Sequence, residues 1–485
     1  MILELLAITH WFIAIGFMLR VIYRRIPVGS SLAWIGLLAS VPIGGIVIYL
    51  LIGEQKMGRR RSGLGEEIRA LYRDDFVGDL DATLYGKSDL TKRELSIARV
   101  AAQETGFLVR EGNKMELLET ADEFYDHLLM DIHAAQSLCF LEYYIIDAQG
   151  RVEEVLQAVG AAARRGVACR VLADAVGSAG FFRSSWPRRL REAGVEVHTS
   201  LPVGIFKALV SRSDLRNHRK IALIDERTAY TGSHNLADPA FFKQHKNVGQ
   251  WVDVSLRCQG PVVKALMAVF CADVMMEESS EIDFERSIKQ VLTDSDPQGD
   301  EFSGIAAQVL PSGPEQESSV IYETLVSAIY TAQQQIFITT PYFVPDDALL
   351  LALISAARRG VDVTLIVPKK IDSFLVHHTS RAYFRDLLNA GIKIAQYQEG
   401  LLHSKIISID GEMCLIGTAN IDIRSFYLNL EITLAIYDDE FCQRIIDLQK
   451  TYVAKAEFID AVAWMQRGKA IMMFENTVRL TSPLL

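Results

Sequence analysis

A duplicated pattern constrains the fold of this chain more than any other feature of its sequence. The stretch AAARRGV at residues 161–167 recurs as SAARRGV at residues 355–361, and an apolar, strand-like run follows each copy. The flanking segments also match, so each copy is predicted to run strand, helix, strand, helix, strand. Such alternation is typical of an α/β fold in which helices cover a sheet. The sequence therefore predicts two similar α-β-α sandwich halves.

Each predicted half ends in the same set of polar residues at the same spacing. After each histidine, lysine follows at 2 residues, aspartate at 7, a hydroxyl residue at 15 and asparagine at 17. The two sets are His218, Lys220, Asp225, Ser233 and Asn235, and His403, Lys405, Asp410, Thr418 and Asn420. Residues two apart on a strand share a face, so each histidine is expected beside a positive charge. Lysine, hydroxyl and amide groups together suit phosphate oxygens, and the pattern predicts phosphodiester chemistry.

These motifs resemble the His-x-Lys-x4-Asp signature of the phospholipase D superfamily, over roughly residues 115–485. The chain layout, with PYFVP at 341–345 and LTSPLL at the C-terminus, is similar to that of the bacterial cardiolipin synthases. The resemblance implies two phospholipase-D-like halves with one active site at their interface. It also implies that His218 attacks phosphorus, that His403 acts as general acid and base, and that Lys220, Asp225, Lys405 and Asp410 belong to the catalytic set. No metal or other cofactor is expected.

The same resemblance implies an orienting carboxylate for the catalytic histidines. Glu431, 28 residues after His403, occupies the position where the superfamily places it, and Asp253, 35 residues after His218, is the parallel position. Together with Ser233, Asn235, Thr418 and Asn420, these two residues form the predicted phosphate-binding or orienting set.

An apolar N-terminal region predicts attachment to a membrane. Residues 26–53 contain no charged side chain and are long enough to cross a bilayer as a helix, which Pro42 would kink. A shorter apolar run precedes them at residues 5–19. We expect an N-terminal transmembrane helical hairpin in residues 1–55, built of two membrane-spanning or re-entrant segments. The basic cluster at residues 56–61 favours a catalytic body on the cytoplasmic side of a bacterial inner membrane. If both runs span, the smaller basic cluster at residues 20–25 lies on the opposite side, so the sequence leaves the topology open.

The remaining boundaries follow from composition and from the repeat. Residues 56–114 are predicted as a juxtamembrane linker, 115–276 as the first half, 277–304 as an acidic linker and 305–485 as the second half. Six scattered cysteines form no C-x-x-C pair and are expected to be reduced thiols. The net charge of −10 argues against nucleic acid as a partner.

The resemblance implies that two phosphatidylglycerol molecules react to give cardiolipin and glycerol, with phosphatidylglycerol and other membrane lipids as partners. A hydrolase that releases phosphatidic acid shares every motif residue, so the motifs leave that alternative open. The acidic charge and the apolar N-terminus weigh against a nuclease of the same superfamily. A catalytically inactive scaffold is disfavoured because no motif residue is missing. Oligomeric state is left open.

Other polar residues are weaker candidates. His234 lies between Ser233 and Asn235 and is expected to point away from them by strand alternation. The pair His377-His378 is predicted to contact substrate or to be structural. Glu142 and Tyr342 stand near the ends of predicted strands, where α/β folds bind ligands, and are candidate pocket residues.

Overall fold

The computed structural model of the protein describes residues 2–24, 28–41, 43–53, 90–202, 212, 214–277, 304–314 and 319–482. The chain divides into two compact units. One contains residues 1–63 and 203–215, and the other contains residues 64–202 and 216–485.

Three helices lie in the first unit: α1 (Ile2–Tyr23), α2 (Val28–Ser40) and α3 (Gly44–Ile52). They pack around a small cluster that includes Val21, Leu38 and Tyr49. Among the residues described, no helix combines the length and the hydropathy required to cross a bilayer.

The sequence predicts one kinked helix over residues 26–53, but the structure has two helices in that stretch, so the prediction of a single helix is wrong. The break falls between Ser40 and Gly44, where Ile43 has a φ of 61°. Proline has no amide N–H to continue a helical hydrogen-bond ladder, so Pro42 accounts for an interruption at this point.

The second unit contains the duplicated body. The helix α4 (Lys92–Thr105) precedes its first half, whose helices are α5 (Ala121–Ala134), α6 (Arg151–Arg164), α7 (Ala179–Arg183), α8 (Trp186–Glu192) and α9 (Val262–Glu277). Its strands are β1 (Arg110–Leu118), β2 (Leu138–Tyr143), β3 (Ile146–Asp147), β4 (Ala168–Asp174), β5 (Glu196–Ser200), β6 (Lys220–Ile224), β7 (Thr228–Gly232), β8 (Leu236–Ala237), β9 (Trp251–Val252) and β10 (Ser255–Gln259).

The second half repeats this plan and adds a C-terminal helical segment. Its helices are α10 (Val320–Thr331), α11 (Asp347–Arg358), α12 (Phe374–Asn389), α13 (Ile423–Tyr427), α14 (Asp439–Ala454), α15 (Ala461–Met465) and α16 (Lys469–Arg479). Its strands are β11 (Ile305–Ser312), β12 (Gln335–Thr339), β13 (Phe343–Val344), β14 (Asp362–Pro368), β15 (Lys393–Tyr397), β16 (Leu401–Leu402), β17 (Ile406–Ile409), β18 (Met413–Gly417), β19 (Ile421–Asp422), β20 (Glu431–Tyr437) and β21 (Ala456–Phe458).

One sheet of 15 strands runs through both halves, in the order β21-β15-β14-β12-β17-β18-β20-β11-β1-β10-β7-β6-β2-β4-β5. The predicted alternation of strands and helices is confirmed, since β2, β4 and β5 are parallel neighbours in one half and β12, β14 and β15 in the other. The halves join where β1 pairs with β11 in antiparallel fashion. The interface between the halves is therefore continuous sheet.

The predicted boundary at residue 115 falls inside β1. Helix α4, which the sequence analysis assigned to the linker, belongs to the body: Ile97, Ala98 and Ala101 are buried in the apolar core of the second half. A capping box between Thr91 and Glu94 begins this helix. Residues 56–89 and 278–303 of the two predicted linkers lie outside the described residues.

Candidate active site

Each motif histidine lies on a short backbone segment that pairs with the opposite half. The amide of His218 donates a hydrogen bond to the carbonyl of Leu430 (2.9 Å), and the amide of His403 donates one to the carbonyl of Val252 (2.7 Å). Next to the second of these bonds, strand β16, which directly precedes His403, pairs in parallel with β9 of the first half. The motif histidines therefore precede strands β6 and β17, whereas the sequence analysis placed them on those strands.

This pairing sets each histidine against a carboxylate from the other half. His218 Nδ1 is 2.8 Å from Glu431 Oε2, and His403 Nδ1 is 2.6 Å from Asp253 Oδ1. Glu431 and Asp253 directly follow the two residues whose carbonyls accept the histidine amides, so the register of the cross-half segments positions the carboxylates. The two carboxylates named from the sequence therefore each contact the histidine of the other half.

The two motif hydroxyls hold these carboxylates. Ser233 Oγ donates to Asp253 Oδ1, and Thr418 Oγ1 donates to Glu431 Oε2, each over 2.6 Å. Each hydroxyl oxygen also accepts a backbone amide, from Val254 for Ser233 and from Ile432 for Thr418. The hydroxyls were predicted either to bind phosphate or to orient other groups of the site. Their contacts with the carboxylates match the orienting role.

Burial controls the protonation of both pairs. It lowers the pKa of His218 to about 4 and that of His403 to about 3, which leaves both imidazoles neutral at neutral pH. Burial alone would raise the pKa of Glu431 and Asp253, but attraction to the adjacent histidine and to a lysine lowers both below the ordinary range. A neutral imidazole that donates its Nδ1 proton to a carboxylate keeps a lone pair on Nε2.

The two motif lysines are buried in the same cluster. Lys220 Nζ donates to the carbonyl of His218 (2.8 Å), and Lys405 Nζ donates to that of His403 (2.6 Å). Burial lowers the pKa of Lys220 to about 8 and that of Lys405 to about 7, against attraction from the carboxylates of both halves. Because each lysine responds to both carboxylates, the two motifs form one electrostatic site.

The motif asparagines are also buried, but only one has its side-chain oxygen bonded. Asn235 Oδ1 accepts the amide of Ile145 (3.2 Å), which fixes the orientation of that side chain. Asn420 Oδ1 is buried without a partner among the described residues, and Asn420 also lines a cavity of about 20 Å³ with Lys405 and Thr339. That volume accommodates about one water molecule, so this space does not hold a lipid headgroup.

The motif aspartates lie away from the histidines, and their predicted place in the catalytic cluster needs correction. Asp225 follows the last residue of β6, where its carboxylate accepts the amides of residues 136–138. Asp410 follows β17 and accepts the amides of residues 333–335, and it also pairs with Arg93. Five residues of extended strand separate each aspartate from its lysine, about 16 Å. The aspartates anchor the loops before β2 and β12.

Aromatic rings beside the histidines were missed by the sequence analysis. The ring centres of Tyr144 and His218 lie 5.0 Å apart in an edge-on arrangement, and the ring centres of Trp251 and His403 lie 4.2 Å apart. Neither aromatic residue belongs to the repeated motif. Their only signal in the sequence was position, since Tyr144 follows the end of β2 and Trp251 is two residues before Asp253.

The weaker candidates have structural partners. His234 stacks on Phe124 and lies 3.1 Å from Ser255 Oγ, which places it outside the site. Glu142 is completely buried and accepts a hydrogen bond from Asn217 (2.7 Å), the residue before His218. It therefore holds the residue next to His218 in place instead of lining a pocket.

Within the part of the chain that the structure describes, no cluster of three or more histidine, cysteine, aspartate or glutamate side chains could hold a metal ion. The arrangement instead brings two neutral imidazoles, two carboxylates and two lysines into one buried site between duplicated halves. A site and fold of this kind define a phosphodiester-transferring enzyme of the phospholipase D type.

Comparison with known proteins agrees. A family described as "Cardiolipin synthase, PLD-like domain" matches residues 128–270 and 325–451. Cardiolipin synthase A of Erwinia tasmaniensis is 39% identical, over 99% of this chain and 98% of that protein. Cardiolipin synthase A of Pectobacterium carotovorum is 40% identical over the same shares. The chain belongs to the phospholipase D-like cardiolipin synthase family.

Among solved structures, phosphatidylserine synthase of Haemophilus influenzae aligns with a TM-score of 0.59 at 14% identity, covering 81% of this chain and 100% of that one. At this identity the likeness shows the fold alone.

Proposed function

We propose that this protein is a phosphatidyltransferase that converts two phosphatidylglycerol molecules into cardiolipin and glycerol. The observation that carries the proposal is the pair of crossed histidine–carboxylate contacts, His218 with Glu431 and His403 with Asp253, in a chain of the cardiolipin synthase family. The two named cardiolipin synthases align with almost the whole chain, which extends the support beyond the motifs.

In the first step, the Nε2 lone pair of His218 attacks the phosphorus of one phosphatidylglycerol. The P–N bond forms, the bond from phosphorus to the glycerol oxygen breaks, and the leaving alkoxide takes a proton from His403. A bound phosphodiester anion raises the proton affinity of the nearby imidazole, so His403 takes up a proton from solvent on Nε2 before this step and then donates it. Lys220 and Lys405 stabilise the negative oxygens in the transition state.

In the second step, the terminal hydroxyl of another phosphatidylglycerol gives its proton to His403 and attacks the phosphohistidine. The P–N bond breaks and cardiolipin leaves. Exposure supports this division of roles, because the His218 side chain is 11% exposed and that of His403 is 4% exposed. The more accessible ring is better placed to meet an incoming phosphodiester.

Lipid mass spectrometry tests the proposal against the hydrolase alternative. Purified protein is incubated with phosphatidylglycerol in mixed micelles, and His218→Ala provides the inactive control. We expect cardiolipin and glycerol in equal amounts. Phosphatidic acid as the sole product would show that water, not lipid, is the acceptor.

The proposal extends to the N-terminal helices, which we assign to the cytoplasmic membrane of a bacterium, as a multi-pass anchor with the catalytic body on the cytoplasmic side. Large apolar side chains of these helices face outward, including Phe12, Leu19, Val28 and Leu32. The six cysteines, all buried and free, are compatible with a reducing compartment.

Extraction of membranes tests this anchor. The full chain should require detergent for release, whereas a chain without residues 1–57 should be released by alkaline carbonate. If the shortened chain still requires detergent, these residues are not the anchor.

A further inference from the structure

The C-terminal helix α16 is oriented opposite to an ordinary surface helix. Its acidic residue Glu475 faces the body, 2% exposed, and pairs with Arg381 and Arg467. Three of its apolar residues, Ile471, Met473 and Phe474, are 52%, 73% and 45% exposed, whereas Met472 and Val478 are half-buried. A helix that packs on a water-soluble body normally buries its apolar side chains and exposes its charges. The exposed apolar side chains of α16 indicate that something other than water covers them.

The start of α12 extends the same face. Phe374 and Leu375 are exposed, and the rings of Phe374 and Phe474 lie 6.3 Å apart. The ring of His378 lies between them, 4.5 Å from Phe374 and 5.1 Å from Phe474. We call these five side chains the C-terminal apolar surface: Phe374, Leu375, Ile471, Met473 and Phe474. Large apolar side chains exposed on neighbouring elements in this way mark an interaction site.

The segment that carries α15 and α16 has a positive net charge, although the chain as a whole is acidic. Residues 461–479 contain three basic residues and one acidic residue, a net charge of +2, against −10 for the whole chain. The single acidic side chain is the buried Glu475, while Lys469 at the start of α16 is exposed, as is Lys370 just before α12. An apolar face rimmed by basic groups is complementary to the surface of an anionic bilayer.

The surface also adjoins the active site. Asp372, two residues before Phe374, accepts hydrogen bonds from Tyr342 Oη (2.6 Å) and Lys243 Nζ (3.0 Å). Lys243 Nζ lies 5.1 Å from the centre of the Trp251 ring, which packs against His403. A bilayer that covers the C-terminal apolar surface would therefore lie a few side chains from the acid–base histidine.

We propose that the C-terminal apolar surface docks on the interface of an anionic phospholipid bilayer and holds the active site close to the lipid from which substrate is drawn. The inference rests on the proposed function for the identity of the substrate. The docking itself rests on the exposed side chains and their charges. It gives the catalytic body a membrane contact separate from helices α1–α3.

Depth-dependent fluorescence quenching in the full chain tests the docking. Single variants Ile471→Cys and Phe474→Cys carry an environment-sensitive dye and are reconstituted into nanodiscs of phosphatidylglycerol and phosphatidylcholine. The buried native cysteines should not react, and unsubstituted protein checks this. Leu351→Cys on α11 is the matched control, because Leu351 is 58% exposed outside this surface.

We expect dye at 471 and 474 to shift to the blue and to be quenched by lipid with a nitroxide on its acyl chain, and dye at 351 to show neither effect. Quenching at 474 no greater than at 351 would overturn the proposal. Energy transfer between labelled copies without lipid quenching would also overturn it, since a second copy would then cover the surface. These readouts need no turnover, so they hold even if the proposed reaction is wrong.

A kinetic measurement adds the functional consequence. The double variant Phe374→Ser/Phe474→Ser should need roughly tenfold more phosphatidylglycerol at the surface for half-maximal rate, because two apolar anchors are lost, with the maximal rate unchanged. Leu351→Ser should match the unsubstituted protein. An unchanged lipid requirement in the double variant would contradict a docking role, whereas absence of cardiolipin from every protein would instead refute the proposed reaction.

Discussion

His218 and His403 are held by the same set of contacts, but their surroundings differ. Each ring has a carboxylate from the other half, and each carboxylate is held by a motif hydroxyl. The residue after His218, however, is Arg219, which forms a buried ion pair with Asp273 and donates to the carbonyl of Glu431. The residue after His403 is Ser404, which has no charge and donates to the carbonyl of Val252.

This difference shows what the duplication preserved and what it allowed to diverge. The crossed carboxylate, the hydroxyl and the lysine are present in both halves, so both imidazoles keep a free Nε2. The neighbouring ring, the exposure and the residue that follows each histidine changed. Equivalent contacts with unequal access are compatible with the proposed division into one nucleophile and one acid–base group.

The largest expected effect separates the two histidines by role. His218→Ala should abolish transfer, and His403→Ala should slow it by about 10²- to 10⁴-fold with natural lipid, the usual contribution of a general acid or base. With a donor that has a nitrophenol leaving group, which needs no protonation, His403→Ala should still release a burst of nitrophenol and accumulate phosphohistidine. Rapid-quench kinetics and phosphohistidine detection measure this.

Thermal unfolding of both variants provides the control for folding. If the burst survives in His218→Ala and is lost in His403→Ala, the two roles are exchanged. If both variants keep full activity with phosphatidylglycerol, the site assignment is wrong.

The crossed carboxylates give a sharper version of the same comparison. Asp253→Asn and Glu431→Gln should each reduce transfer by about 10²- to 10⁴-fold, because an amide cannot hold the imidazole in the same protonation state. Because the pairs cross, Asp253→Asn should behave like His403→Ala and retain the nitrophenol burst, whereas Glu431→Gln should lose it. The reverse pattern would mean that each carboxylate serves the histidine of its own half.

The lysines should differ in the pH at which they lose their charge. With pKa values of about 7 for Lys405 and about 8 for Lys220, rising pH removes the charges that stabilise phosphoryl oxygens, so the transfer rate should fall on the alkaline side. Loss of either lysine should cost about 10²- to 10³-fold.

The pH dependence of the rate that remains in each lysine variant distinguishes the two lysines. In Lys405→Met the alkaline decline should be centred near pH 8, the pKa of Lys220, as given by initial rates over a pH series. In Lys220→Met the decline should be centred above pH 7, because the positive charge of Lys220 lowers the pKa of Lys405 and its removal raises that pKa. The absence of any alkaline decline in both variants would show that neither lysine produces it. On the acid side, both histidines of the protein without bound substrate stay neutral down to about pH 4.

The smallest effect on chemistry is expected at the motif aspartates. Asp225→Ala leaves three backbone amides without an acceptor and should lower the free energy of unfolding by about 1–3 kcal/mol. Asp410→Ala should cost more, since it also leaves Arg93 without one of its carboxylate partners. Denaturant unfolding measures both, with exposed Asp447→Ala as the control. A large loss of rate per folded molecule without loss of stability would restore these aspartates to the catalytic set.

Much of this architecture was predictable because it depends on local order along the chain. The alternation of β2, α6, β4 and β5, and the matching run from β12 to β15, followed from the repeated AARRGV stretches and the apolar runs beside them. Helix α4 was missed because its core contacts are with α10, more than 200 residues away. No periodicity near Lys92–Thr105 identifies a partner at that separation.

The sequence by itself determined the chemical groups of the site: two histidines, two lysines and two carboxylates at equal or parallel spacing in a duplicated frame. Only the tertiary structure decided how they combine. Leu430 accepts the amide of His218, and Val252 accepts that of His403, and these two hydrogen bonds across the interface direct each carboxylate to the opposite histidine. Spacing along the chain describes neighbours on one strand, whereas the pairing of segments from different halves depends on how the whole sheet closes.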